Sequence, residues 1–239
     1  NSLELINDFA VLIYGIPYLD KNQFQTLQIG NDSLVNNKNL HAIVGAGTGL
    51  GISRGLINSD AIKVLSSEGG HIEFAPKTLK EWELKVWLKK TLNLDRISYE
   101  RIISGEGLCN IAKWRFSHGD AINHSFQNIL NKSKTSEETK KELASEICKF
   151  SAKGDPVLRE IEDIWLSNYA SYLGDVALHE LCFGGLWISG GTAPKHFKNM
   201  KSDSFLKHFS DKGRYKDILK SIPVKVILDE EFGLFSAAC

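Results

Sequence analysis

The stretch HAIVGAGTGLGISRGLI, residues 41–57, decides the fold. Its two ends, HAIVG and GISRGLI, are apolar runs of strand length, and glycine-rich sequence joins them. Two such runs around a glycine-rich connection are typical of a β-hairpin. A third apolar run, AIKVL at 61–65, follows after a few residues and is predicted to be a further strand.

Beyond this region the sequence alternates between helix and strand patterns. Apolar spacing or, at Thr135–Glu138, a capping box predicts helices over 9–16, 79–92, 135–150 and the stretch after Pro156. Two more strands are predicted, FGGLWISGG at 183–191 and VKVILD at 224–229. The last predicted helix carries an apolar stripe that we interpret as core packing, made of Leu158, Ile161, Trp165, Tyr169, Tyr172 and Val176. Hairpins early and strand–helix alternation late predict an α/β fold with a mixed sheet.

The amino-acid composition argues against several classes of protein. The 239 residues are 42% hydrophobic, enough for one large domain or two modest ones. Lys and Arg number 29, as do Asp and Glu, so the charge balance does not favour a nucleic-acid or anionic-membrane partner. We find neither an apolar run of membrane-spanning length nor a signal-peptide pattern. The four cysteines form no CxxC pair, which favours a reducing, cytoplasmic location.

The segment GAGTGLG, residues 45–51, is the strongest local signal for chemistry. It lacks the GK[ST] of a Walker loop, and its glycine spacing differs from the dinucleotide fingerprint. One interpretation is a hairpin turn that needs positive φ. The other is a nest of backbone N–H groups around a phosphate, with the Thr48 hydroxyl as a further donor.

A second candidate segment is SSEGGHIEFAP, residues 66–76, where Glu68 and His71 flank two glycines. A carboxylate accepts two hydroxyl hydrogen bonds and a neutral imidazole can add another, which suits a polyol substrate. The alternative is a tight turn with a surface glutamate and a histidine that is satisfied locally. The spacing of His and carboxylates does not match a metal site.

Three further candidates are ambiguous when taken singly. Asn7–Asp8 precedes a predicted helix, so it is either a helix cap or a working carboxylate. ISGGTAPK, residues 188–195, is either a nucleotide-binding turn before a helix N-terminus or an ordinary strand-to-helix connection. Glu100, in SYERIISGEGL, carries no signal by itself.

The order of these segments resembles one family. LINDFA, GAGTGLG, EGGHIEFAP, ERIISGEGL, a Gly-Gly turn after an apolar strand and a terminal GLFSAA occur as in the bacterial glucokinases. The resemblance covers essentially the whole chain and is weakest around 115–150. It implies an actin-like ATPase (ribonuclease H-like) fold, with two α/β domains and a cleft between them. ROK sugar kinases share a Glu-x-Gly-His core, but the cysteine-rich cluster that usually follows it is not found after His71.

The resemblance also implies a reaction and roles for residues. The reaction is transfer of the ATP γ-phosphoryl group to the 6-hydroxyl of glucose, with Mg²⁺ entering with ATP. Asp8 matches the catalytic aspartate, and the glucose-binding positions are Asn7, Glu68, His71 and Glu100.

The same resemblance assigns the nucleotide loops. Gly47, Thr48 and Gly49 match the second phosphate loop, and Gly190 and Gly191 match the adenosine-side loop. It suggests a homodimer as well.

The sequence departs from the family at its beginning. The first phosphate loop of the family, Asp-x-Gly-Gly-Thr, has no counterpart before GAGTGLG, and the only Gly-Gly-Thr is at 190–192. We therefore expect most of a large domain at 18–228. Residues 1–17 would end the small domain and form a crossover, and 229–239 would start a helix that returns to it. The N-terminal third is expected to lie outside this sequence, leaving part of the ATP site absent from it.

Two alternatives to a glucose kinase stay open. One is a sugar-binding or regulatory relative without catalysis, and the other is a kinase for a different hexose. The missing phosphate loop favours the first of these, whereas Asp8 and GAGTGLG oppose it.

Overall fold

The computed structural model describes residues 7–31, 38–132 and 137–239, with side chains described outside 131–141. Contacts between residues divide the chain into two compact units. The first, the sheet unit, contains Asn1–Gly47, Gly51–Gly69 and Ala170–Cys239. The second, the helical unit, contains Thr48–Leu50 and Gly70–Tyr169.

A six-stranded mixed sheet is the centre of the sheet unit. Its strands are β1 (Phe24–Gln28), β2 (Leu40–Ala46), β3 (Leu50–Ile57), β4 (Ile62–Ser67), β5 (Gly185–Ser189) and β6 (Val224–Ile227). They lie in the order β1-β6-β5-β2-β3-β4. β2, β5 and β6 run parallel to one another, while β1 is antiparallel to β6 and β3 is antiparallel to β4. All five residues of β5 are buried, as expected for a strand in the middle of a sheet covered on both faces.

The described residues contain ten α-helices, which are interspersed with the strands along the sequence. They are α1 (Leu12–Gly15), α2 (Leu79–Leu92), α3 (Gly105–Phe116), α4 (Gln127–Lys132), α5 (Glu137–Ala152), α6 (Pro156–Glu180), α7 (Ala193–Met200), α8 (Asp203–Ser210), α9 (Lys216–Ser221) and α10 (Phe232–Ala238).

Short α1 covers one face of the sheet because its side chains join the core there. Leu12, Ile13 and Ile16 form one buried cluster with Ile43 of β2 and with three other residues, namely Trp187, Ile227 and Phe232. A side chain at Gly15 would overlap the Phe232 ring and Ser236, so glycine lets α1 and α10 approach closely. This packing fixes the segment that carries Asn7 and Asp8 against the sheet.

The helical unit depends on caps and short pairings rather than a sheet. A capping box begins α2, in which the Thr78 hydroxyl accepts from the Glu81 N–H and the Glu81 carboxylate accepts from the Thr78 N–H. Ser104 caps α3 by accepting from the Gly107 N–H at 3.0 Å. The segments on either side of α2, 72–74 and 97–99, pair antiparallel: the Phe74 N–H donates to the Ile97 carbonyl and the Tyr99 N–H donates to the Ile72 carbonyl.

Most predicted elements are confirmed. The hairpin, the strand at 61–65, the strands near 183–191 and 224–229 and the helices over 79–92 and after Pro156 are all present. The six residues of the stripe on α6 are buried, which confirms core packing. A helix covers 137–152, but the proposed cap at Thr135 lies outside the described residues.

Other elements were not predicted. β1 and the helices α3, α4, α8 and α9 were missed, whereas α7 is the helix expected after the Gly190–Gly191 turn. The turn, α1 and the following 3-10 helix form the predicted helical segment at 9–16. The predicted domain boundaries at 17/18 and 228/229 stay a prediction. In the part of the chain that the structure describes, no helix combines the length and apolarity needed to span a membrane.

Candidate functional site

Two candidate loops leave the same end of the sheet. Parallel β2 and β5 are in register at Gly45 and Ser189, so Gly47 and the Gly190–Gly191 turn follow neighbouring strands. The Thr192 hydroxyl and N–H both donate to the Ala46 carbonyl, at 2.7 and 3.3 Å. Ligands of α/β sheets commonly bind outside the carboxyl ends of such strands. Within the sheet unit, the structure thus brings Gly47 of the predicted phosphate loop next to the predicted adenosine-side loop.

The glycines of these two loops differ in what they touch. Gly190 has φ +88°, and a Cβ there would lie 2.6 Å from the Ala46 carbonyl oxygen, so the turn requires glycine. A Cβ at Gly47 or at Gly191 would meet no atom within 4 Å. Protein packing therefore does not account for Gly47 and Gly191, and both leave room for a ligand against the backbone.

The interpretation of GAGTGLG as a turn that needs positive φ is wrong. None of its four glycines is among those with positive φ. Gly45 and Gly51 instead admit the Phe9 ring, which a Cβ at Gly45 would approach to 2.6 Å and a Cβ at Gly51 more closely still. Gly49 admits the Glu100 carboxylate, to which its Cβ would come within 2.6 Å. Close approaches, not backbone conformation, explain three of the glycines.

Asn7 and Asp8 have different structural roles. Asn7 caps the turn that precedes α1, because its Oδ1 accepts from the N–H groups of Phe9 and Ala10, both at 3.0 Å. The N-cap residue of α1 itself is Val11, which has no side-chain cap. Asp8 is exposed, and its carboxylate has no hydrogen-bond or ion-pair partner among the residues that the structure describes. The Phe9 ring anchors the segment beneath Gly45 and Gly51. Capping thus accounts for Asn7 and leaves the Asp8 carboxylate available for chemistry.

Glu68 lies at the end of the sheet where the glycine turn begins. It follows Ser67, the last residue of β4, and Ser67 pairs with Ile52 near the start of β3. Glu68 is exposed. Within the sheet unit, Asp8, Gly47, Glu68 and the Gly190 turn all belong to this end or to the segment packed on it.

His71 and Glu100 meet in the helical unit, together with the tip of the glycine turn. The Glu100 Oε2 accepts from the Leu50 N–H at 3.0 Å, and the Glu100 Oε1 lies 3.8 Å from the His71 Nδ1. The Thr48 side chain is exposed beside this contact, and Gly49 borders it. A side chain at Gly70 would collide with the Leu50 carbonyl, so the second glycine of EGGH allows this approach. One carboxylate therefore connects the turn with the imidazole.

The backbone around Glu100 is held on both sides. The antiparallel pairing of 72–74 with 97–99 brings the His71 and Glu100 segments together, and the Phe74 and Tyr99 rings pack edge to face with centroids 5.5 Å apart. The Ser104 hydroxyl donates to the Glu100 carbonyl at 2.7 Å while it caps α3. The Ser-Gly-Glu-Gly sequence after Glu100 thus fixes the 3-10 turn that presents its carboxylate.

An open pocket of about 390 Å³ adjoins these groups. Its lining consists of His71, Leu94, Asp95, Arg96, Ser98, Glu100 and Arg101. The Arg96 Nη1 donates to the His71 carbonyl at 2.6 Å, and the Arg101 Nη1 lies 3.1 Å from the Glu106 Oε1. The polar lining can donate to and accept from hydroxyl groups, as the polyol interpretation requires.

Sequence reasoning missed two residues of this arrangement. Phe9 supports the glycine turn, and Arg96 holds the backbone at His71. Gly45 near the end of β2 and Gly51 near the start of β3 both face this ring, and such a pair of glycines on neighbouring strands is the signal that indicates an aromatic partner. Arg96 has no such signal, because its role depends on the fold that brings 96 and 71 together.

Comparison with known proteins covers the whole chain. The family model described as Glucokinase matches residues 1–239. A glucokinase of Synechocystis sp. is 36% identical over 245 residues, with 99% of this chain and 67% of the relative covered. These matches include every segment discussed above.

Solved structures show the same fold. A glucokinase from an Antarctic psychrotroph matches with a TM-score of 0.73 and 28% identity, over 98% of this chain and 66% of that one. A glucokinase of Balamuthia mandrillaris in complex with glucose matches with a TM-score of 0.74 and 20% identity, over 97% and 63%. The chain spans about two thirds of the length of these proteins. The predicted actin-like ATPase fold is confirmed.

Proposed function

This chain belongs to the glucokinase family, and from that premise we propose that the protein transfers the γ-phosphoryl group of ATP to the 6-hydroxyl of glucose. The observation that carries the proposal is the split between Asn7 and Asp8. Asn7 performs the capping, which leaves beside it an exposed carboxylate on a segment anchored to the sheet. A helix cap alone does not require that carboxylate.

Asp8 acts as the general base in this proposal. Its carboxylate accepts the proton of the 6-hydroxyl as the hydroxyl oxygen attacks the γ-phosphorus and the bond to ADP breaks. Phosphoryl transfer depends mainly on positioning and charge stabilisation, with little covalent chemistry for the protein to do. One well-placed base is therefore sufficient to accept the proton. A base of this type contributes about 10²–10⁴-fold to the rate.

The remaining polar residues bind the sugar. Glu100 and Glu68 accept hydrogen bonds from ring hydroxyls, and His71 adds a donor or acceptor. Asn7 uses its Oδ1 for capping, so its amide nitrogen is the group that donates to a hydroxyl. A site built for paired hydroxyls discriminates strongly against sugars that lack them.

ATP binds with Mg²⁺ through the glycine loops. Backbone N–H groups of Gly47, Thr48 and Gly49 contact the phosphates, and Gly190 and Gly191 approach the adenosine side. The space beside Gly47 and Gly191 fits this assignment, since a Cβ there meets no protein atom within 4 Å. Magnesium is held mainly by phosphate oxygens and stays part of the substrate.

Membership of the glucokinase family also supports a proposal for the location and assembly of the enzyme. We place glucose phosphorylation in the cytoplasm as an entry to glycolysis, and we take a homodimer as the working assembly. Sedimentation of the purified protein measures the assembly directly.

A coupled assay of ADP release with glucose, mannose and fructose tests the proposed function. Turnover is expected with glucose and Mg²⁺-ATP. Turnover confined to another hexose would assign the site to that sugar. Glucose binding by calorimetry without turnover of any sugar would contradict the kinase assignment and favour a sugar-binding relative.

A further inference from the structure

Glu100 makes two contacts, one in the proposed sugar site and one beside the proposed phosphate turn. Its Oε1 faces His71 in the proposed sugar site, at 3.8 Å from Nδ1. Its Oε2 accepts the Leu50 N–H at 3.0 Å, directly after the proposed phosphate turn. A carboxylate that only bound glucose would not need the second contact.

Gly49 keeps that second contact possible. A Cβ at Gly49 would lie 2.6 Å from the Glu100 Oε2, well inside van der Waals contact. The backbone of Gly49 does not have positive φ, so conformational freedom does not explain the glycine. What requires glycine here is the carboxylate itself.

From these contacts we propose that Gly49 and the Leu50 N–H are positioning groups for the sugar, acting through Glu100. The phosphate turn positions the Glu100 carboxylate, which binds glucose. The same carboxylate stabilises the phosphate turn by accepting the Leu50 N–H. Each substrate then stabilises the arrangement that the other one needs, so glucose and Mg²⁺-ATP strengthen each other's binding. Thermodynamic linkage requires the two effects to be equal. The inference rests on the proposed function, because it takes glucose and ATP as the two ligands.

The chain supplies a matched pair of substitutions within one turn. Gly49→Ala places a methyl group against Glu100, whereas Gly47→Ala places one where no protein atom lies within 4 Å. Neither glycine has positive φ, so the backbone accepts alanine at both positions. The carboxylate at the end of the flexible Glu100 side chain can move away from the new methyl group without disrupting the backbone.

Calorimetric titration of the full protein with glucose, in the absence of nucleotide, tests the proposal. Gly49→Ala is expected to raise the glucose Kd at least about fivefold, the lower end of typical coupling between sites. Gly47→Ala is expected to leave the glucose Kd unchanged and to weaken binding of Mg²⁺ with a non-hydrolysable ATP analogue. An unchanged glucose Kd in Gly49→Ala, or an equal rise in both variants, would overturn the proposal.

Two further measurements keep the outcomes distinct. Glu100→Asp withdraws the carboxylate from the Leu50 N–H and is expected to weaken binding of the ATP analogue measured without glucose. An unchanged Kd for the analogue would also overturn the proposal. This test does not depend on whether Gly49→Ala folds. In the unaltered protein, glucose should tighten analogue binding by the same factor as the analogue tightens glucose binding. An unaltered protein that binds no glucose would instead contradict the proposed function.

Discussion

The sheet unit and the helical unit hold their candidate site residues by different means. In the sheet unit the loops leave the ends of regular strands, and the in-register pair of β2 and β5 places Gly47 beside the Gly190 turn. In the helical unit the His71–Glu100 pair depends on a short antiparallel contact, a 3-10 turn and the Ser104 cap. In the sheet unit, regular strands therefore determine where the loops lie. In the helical unit, a few individual hydrogen bonds orient the Glu100 carboxylate.

The proposed chemistry divides along the same line. In the proposed assignment the sheet unit carries Asp8 and three of the five nucleotide-loop residues, together with Asn7 and Glu68, and the helical unit carries His71 and Glu100. Substitution of Asp8 should therefore act first on the rate, and substitutions at packed positions of the sheet unit should act first on the stability of the fold. Substitutions at Glu100 should act first on glucose affinity.

The largest effect is expected for Asp8→Asn. Removal of the general base should lower kcat by about 10²–10⁴-fold, while glucose binding is kept. ADP release under saturating substrates measures the rate, and calorimetry measures glucose binding. Asp60→Asn, at another exposed aspartate of the sheet unit, serves as the control and should be neutral. A fall in glucose affinity of the same size as the fall in kcat would contradict the division.

Acid should destabilise the sheet unit through His41, at the end of β2 away from Gly47. Burial, with a smaller contribution from Lys225, lowers the pKa of His41 from 6.5 to about 4. The unfolded chain therefore takes up this proton first, and stability is lost as the pH falls from about 6.5 towards 4. The total loss is about 3 kcal/mol, since one pKa unit corresponds to about 1.4 kcal/mol.

Denaturant unfolding at several pH values measures this slope. His41→Asn keeps an acceptor for the Trp187 Nε1–H, which donates to the His41 Nδ1 at 3.2 Å, but does not titrate. The variant should lose part of the pH dependence in this range. The same slope in both proteins would mean that His41 is not the cause.

Glu100→Ala tests the contribution of the helical unit to glucose affinity. It removes a charged acceptor for glucose and for the Leu50 N–H, and a hydrogen bond to a charged group contributes about 1.5–3 kcal/mol. The glucose Kd should rise about 10- to 150-fold. Calorimetry is the measurement, and Glu83→Ala, at an exposed position on α2, is the control. A normal glucose Kd in Glu100→Ala would remove Glu100 from the sugar site.

The smallest effect is expected at the turn after β5. Gly190→Ala forces alanine into φ +88° with its Cβ 2.6 Å from the Ala46 carbonyl oxygen, and strain of this kind costs about 1–3 kcal/mol. Gly191→Ala makes no protein contact within 4 Å and should leave the unfolding midpoint nearly unchanged. Thermal unfolding compares the two. Equal unfolding midpoints in the two variants would mean that the turn accommodates a side chain at Gly190 without strain.

The sequence predicted regular elements better than it predicted their contacts. Apolar runs identified β2, β3 and β5 because burial dictates their composition. β1, with the pattern FQTLQ, was missed, since its single face and edge position need few apolar residues. The capping box at Thr78–Glu81 was also missed, whereas the one predicted at Thr135 lies outside the described residues.

For the candidate site, the order of motifs pointed to the residues but not to their partners. Asn7 and Asp8 were ambiguous in sequence, and only the hydrogen bonds from Phe9 and Ala10 separated cap from carboxylate. The link from Glu100 to Leu50 spans 50 residues, so no local pattern could predict it. Long-range contacts of this kind are set by the packing of the whole unit.

In the proposed mechanism, the Asp8 carboxylate enables phosphoryl transfer to the 6-hydroxyl of glucose. Phosphorus NMR of the full protein with glucose and Mg²⁺-ATP observes the product directly, and Asp8→Asn is compared under the same conditions. We expect glucose 6-phosphate from the unaltered protein and a rate at least about 10²-fold lower from the variant, with glucose still bound. Equal rates from both proteins, or no sugar phosphate from either, would contradict this mechanism.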